Sequence, residues 1–226
     1  MPPTNTPFSD VSVISTLALK GALETAAPGL RADYHATQAL LTLIDQGQSA
    51  DVVILTKEGI DQLESQGRLV AGTRLELGRS GVGLAVRAGA PKPRIGSLQE
   101  LEAALLTAES VGHSEQGASG LYFAGLLDRL GLAQRLKKRV IVEKGPVAAR
   151  IVSGEVELGA QLLCELAPVP GIDIIGPLPA EVQAYYSFSA AAMKASTNLP
   201  AASAFLDFLR TEPALAAMRK NLFEPI

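Results

Sequence analysis

The chain holds no tryptophan, one cysteine and two histidines in 226 residues. One thiol excludes an internal disulfide, and with two histidines it cannot complete a zinc site of the common cysteine–histidine kinds. Cys164 lies in the apolar stretch QLLCELAPV and reads as a small buried hydrophobe. Basic residues are sparse too. Twenty Lys and Arg face 23 Asp and Glu, a formal net charge of −3, and Lys137-Lys138-Arg139 is the only basic block. Nucleic-acid binders carry a basic footprint and aromatic platforms for the bases, so that class of partner is not expected. No apolar run approaches the roughly 18 residues of a membrane-spanning helix. The opening MPPTNTPFSDVSVIS lacks a charged n-region, an apolar h-region and a small-residue cleavage site. It predicts a cytoplasmic chain as written, or a periplasmic one if a leader has been removed. There is no Gly-x-Ser-x-Gly elbow and no Walker loop, and no helix follows the glycines of GRSGVG. No cofactor and no metal are expected.

What is present is a regular alternation of short β-type runs and longer helical runs. Aromatics make up 4% of the chain, so a core must be built from Leu, Ala, Val and Ile, which suits parallel sheets covered by helices. Val11–Ile14, Arg31–His35 and the continuously apolar DVVIL of Asp51–Leu55 read as strands. Each is followed by a polar turn and a helix. Three such units in a row predict a parallel, doubly wound sheet. Arg74–Arg87 breaks the pattern and reads as a long strand crossing to a second lobe. There the alternation resumes, with Ser97 placed to cap Leu98–Leu106 in a capping box. Tyr185–Met193 reads as the return strand. The expected organisation is one lobe from residues 1–78 and 190–226, a second from 79–189, and a ligand cleft between them.

Small hydroxyls recur at the strand–helix junctions. Ser15 and Thr16 follow the first strand, Thr37 the second and Thr56 the third, while Ser114, Ser119 and Gly120 precede a second-lobe helix. In a parallel α/β sheet these junctions lie at the carboxyl ends of the strands, where ligands bind. Hydroxyls and free helix N–H groups there can hold an anion without a buried lysine. The competing reading is plain N-capping, which favours the same residues. Arg79, with Ser80 beside it, can grip a carboxylate through two parallel hydrogen bonds, or be a solvated surface arginine. Lys20, one turn into the first helix, and His113 are candidate proton carriers; His35 also adjoins a junction. Each has a structural alternative.

Taken in order, VISTLALKGALE, HATQALLTLIDQGQSADVVILT, GASGLYFAGLLDRLGL, IVSGEVELGAQ and IIGPLPAEVQ resemble the molybdate-binding-protein-like family of type II periplasmic binding proteins. The resemblance runs from about residue 11 to the C-terminus. It implies two doubly wound lobes joined by two crossing strands. It also implies a small anion as partner and, for an exported chain, a transporter permease. Molybdate binders of this family often place a Tyr in the second lobe, where this chain has Gln161 in GAQLLCEL. GPLPAEVQ is more like the branch that includes aconitate isomerase. The departures imply an organic carboxylate in place of molybdate, with Arg79 and Lys20 suited to its charges. Two functions follow as expectations. The first is capture of a small anionic ligand by a substrate-binding protein. The alternative is an isomerase moving a double bond of an unsaturated acid by proton transfer.

Overall fold

A computed structural model describes residues 8–226, so the first seven residues of the opening stretch read above lie outside the described residues. The described residues divide into two compact units, one of residues 8–80 and 186–226, the other of residues 81–185. The chain passes from the first to the second within one long strand and returns at the start of another.

Unit 1 begins with β1 (Ser12–Thr16), a short 3-10 turn over Leu17–Leu19, and α1 (Lys20–Ala26). Then come β2 (Arg31–His35), α2 (Thr37–Asp45), β3 (Val52–Thr56) and α3 (Lys57–Ser65). β1 lies between β2 and β3 and is parallel to both. Helices cover the sheet, so Val13, Ile14 and Val52 through Leu55 are buried on both of its faces. α2 turns Leu40, Leu41 and Ile44 inward at helical spacing, and α3 turns in Ile60 and Leu63.

The chain leaves unit 1 in β4 (Leu75–Arg87). In unit 2 it forms α4 (Leu98–Thr107), β5 (Val111–Ser114), α5 (Ala118–Arg129), β6 (Arg139–Val142) and α6 (Val147–Ser153). The unit closes with β7 (Leu158–Leu162), the single turn α7 (Leu163–Leu166) and β8 (Ile172–Pro177). Ser97 is the N-cap as expected, but the return bond of the box goes one residue further back, to Gly96. The Ser97 hydroxyl accepts from the Glu100 N–H, and the Glu100 carboxylate accepts from the Gly96 N–H. β7, β5 and β6 run parallel, while β4 is antiparallel to both β7 and β8.

β9 (Tyr185–Ala192) brings the chain back into unit 1, antiparallel to β3. α8 (Leu199–Phe208), α9 (Glu212–Lys220) and the two-residue β10 (Glu224–Pro225), paired with the first part of β4, complete it. The α/β class and the two-lobed layering match the sequence expectation. The sheets are mixed, not wholly parallel, because the crossing and returning strands run against their neighbours. Helical period and β-branched runs signal elements, but strand direction is carried by connections that no local pattern encodes.

Asp51 fastens the start of β3 to its surroundings. Its carboxylate accepts from the Ser12 N–H at 2.9 Å, the Ser12 hydroxyl at 2.7 Å, the Ser196 hydroxyl at 2.6 Å and the Asn198 N–H at 3.2 Å. Burial alone would raise its pKa, but these donors outweigh burial and hold the carboxyl below its ordinary value.

Candidate functional site

In unit 1 the register fixes which residues share the carboxyl edge. Thr16 pairs with His35 across β1 and β2, and Ser15 with Ile54 across β1 and β3. The ends of all three parallel strands therefore stand level, and the sequence candidates Ser15, Thr16, Thr37 and Thr56 gather along one edge. Their hydroxyls are not equivalent. Ser15 is fully buried and donates to the Thr16 carbonyl at 3.0 Å. Thr37 accepts from the Thr56 N–H at 3.3 Å, and Thr56 caps α3 by accepting from the Gly59 N–H. For Thr56 the capping alternative therefore describes what its oxygen does. Thr16 differs. It is 5% exposed and its side chain makes no capping bond. Among the described residues no buried polar side-chain atom lacks a partner. The small accessible part of Thr16 must then include its hydroxyl.

Unit 2 repeats the arrangement. Ser119, in the first turn of α5, is 4% exposed and its hydroxyl has no hydrogen bond among the described residues. By the same reasoning its accessible sliver includes the hydroxyl. The junction before it is tight. A Cβ on Gly120 would lie 2.1 Å from the Ser114 carbonyl oxygen and 2.2 Å from its hydroxyl. Gly120 is required for that approach. Ser114 itself is the last residue of β5.

Gln161 is buried in β7, and the β5–β7 register, continued, sets it level with Ser114. Its Oε1 accepts from the Ala148 N–H in the first turn of α6 at 3.2 Å, and its Nε2 donates to Glu165 at 2.6 Å. Sequence reading passed over Glu165. LLCEL reads as an apolar run, and the acid shows only when α7 turns it back toward Gln161. Burial pushes its carboxyl above the ordinary glutamate value.

The charged candidates lie otherwise. His113 is 2% exposed, with Nδ1 2.9 Å from the Ser114 carbonyl and Nε2 accepting from Arg139 Nε at 2.9 Å. The carbonyl demands a protonated Nδ1 and the guanidinium an unprotonated Nε2, so the ring is held neutral in one tautomer. Burial, with Arg139 beside it, lowers its pKa. That geometry corrects the reading of His113 as a proton carrier, since neither nitrogen is open to a ligand. Lys20 is half exposed and pairs with Glu24 at 3.5 Å, a helix-face ion pair. Arg79 is half exposed and pairs with Glu224 at 2.8 Å across β4 and β10, so a ligand carboxylate would have to compete for it. The Ser80 hydroxyl donates to the Leu222 carbonyl, and His35 is exposed. Cys164 is buried, as expected. Among the described residues no cluster of His, Cys, Asp and Glu could hold a metal, and no helix is long and apolar enough to cross a membrane.

A family model described as bacterial extracellular solute-binding protein matches residues 26–224. An aconitate isomerase from a Pseudomonas species is 32% identical over 235 residues, covering 97% of this chain and 89% of that protein. The periplasmic molybdate-binding protein of Azotobacter vinelandii superposes with a TM-score of 0.75 at 19% identity, covering 94% of this chain and 98% of that one. The sulfate-binding protein of Mycobacterium tuberculosis gives 0.67 at 18%, covering 96% and 86%. At those identities the structures share the fold.

Proposed function

Because the chain belongs to the bacterial extracellular solute-binding protein family, we propose that it captures a small organic anion, a di- or tricarboxylate, through strand-end hydroxyls. The observation that carries this is the pair Thr16 and Ser119. Each is a nearly buried hydroxyl with no internal partner, one in each unit, at a carboxyl-end junction. A nearly buried hydroxyl with no partner in the fold is left to be satisfied from outside it, by water or by a ligand. Neutral donors beside free helix N–H groups suit an anion and reject a cation. The choice of carboxylate over tetrahedral oxyanion rests on the isomerase relative. For an exported chain the natural partner is a transporter permease.

A thermal-shift screen tests the reading. Aconitate and citrate should raise the melting temperature more than molybdate or sulfate, since a ligand that binds only the folded state stabilises it by mass action. Stabilisation by molybdate alone would transfer the chain to the oxyanion binders.

The isomerase relative favours a second reading, proton transfer on the captured acid. If it holds, aconitate incubated with the protein in heavy water gains deuterium at the migrating carbon. Tight binding with no deuterium uptake over a day leaves capture alone.

A further inference from the structure

Gln161 has one amide oxygen, and the Ala148 N–H occupies it. Its NH₂ group is therefore aimed at Glu165, whose Oε2 it reaches at 2.6 Å. The other oxygen, Oε1, has no hydrogen bond among the described residues, and Glu165 forms no ion pair there. Since no buried polar side-chain atom is left without a partner, Oε1 opens on accessible space. α7 packs against β7 and β8. β7 carries no ionisable side chain. The one ionisable residue of β8, Asp173, is taken up by the Gly89 N–H and by Lys92. Cys164, on α7 itself, is buried. Among the described residues an acid so placed meets no cation, and its partial burial favours the neutral form, opposed by the bond from Gln161.

We propose that Glu165 is a ligand-contacting hydrogen-bond donor of unit 2, presenting Oε1–H to a carboxylate of the bound acid. The proposal rests on the organic-anion reading above. A ligand carboxylate has acceptors only, so a neutral glutamic acid pairs with it through a short O–H···O⁻ bond, whereas an ionised one repels it. Gln161 sets the direction by holding Oε2 and leaving the proton to Oε1. The site would then prefer an acid with a carboxylate at this position over ligands lacking one, and capture would weaken as Glu165 ionises.

Two measurements on the whole chain test this. Carbon-13 NMR follows the side-chain carboxyls of the unliganded protein, with the Glu165 signal identified by its loss in Glu165→Gln. Its midpoint should lie above that of the exposed glutamates. A midpoint among theirs overturns the inference, whatever binds. Calorimetry with aconitate from pH 5 to 8 then reads its use. Wild-type affinity should fall with rising pH above the Glu165 midpoint, by up to about tenfold per unit for one proton. In Glu165→Gln, whose amide donates at every pH, that component of the fall should vanish. Binding with the same pH dependence in both proteins overturns the proposal and leaves organic-anion capture standing. No heat with aconitate at any pH overturns the organic-anion reading and the ligand role of Glu165 with it.

Discussion

Single side chains set the contrast between the parts of the junctions that are spent and those that are free. Ser15, Thr37 and Thr56 satisfy the protein's own backbone. Thr16 and Ser119 do not, so they should behave differently on truncation. Thr16→Val or Ser119→Ala removes a donor to an anion, worth about 1.5–3 kcal/mol, or roughly ten- to a hundredfold in Kd. Thr56→Ala should instead lower stability by about 1 kcal/mol, the usual loss for a helix cap. Calorimetry and urea melts on the three variants separate the two behaviours; a Thr56→Ala protein that is stable but fails to bind would reverse the assignment. His113 belongs with the spent groups. Its folded-state pKa lies below the unfolded value of about 6.5, so the folded chain binds fewer protons. Stability from this ring is full above that value and declines as pH falls through it. His113→Gln should remove that decline in melting temperature between about pH 6.5 and 5; an unchanged decline would mean the ring titrates freely.

At the level of elements, the junction between β5 and α5 depends on one missing side chain. Gly120→Ala would press a methyl group into the Ser114 backbone, which cannot give way without moving the strand. The expected cost is about 1–3 kcal/mol, read from the denaturation midpoint. An unchanged midpoint would show that the junction is looser than described. Asp51 does comparable work at the other end of β3. Its lowered pKa means that its contribution is present above about pH 3.8 and is lost as pH falls through the folded-state value. Asp51→Asn should therefore be less stable than wild type near neutral pH, with the gap closing in acid, and a constant gap would argue against charge as the cause. Most of these elements were legible in the sequence. DVVIL could only be a strand buried on both faces, and Ser97 with Glu100 marked a helix start through chemistry that is local. The hydroxyls were legible as positions but not as roles, because capping and ligand binding draw on the same side chains. Glu165 was not legible at all. Its significance lies in Gln161, four residues back, being pinned by Ala148 from a different helix.

For the molecule as a whole, each unit carries one unspent strand-end hydroxyl, Thr16 or Ser119, and both are assigned to ligand capture. Family membership supports capture, and the isomerase relative supports an organic acid as its object. The most direct test is therefore a calorimetric titration of aconitate into wild type, Thr16→Val and Ser119→Ala under one set of conditions. The account predicts one site per chain in wild type, with the same stoichiometry and roughly ten- to a hundredfold weaker affinity in each variant. Wild-type binding that neither substitution alters would contradict it.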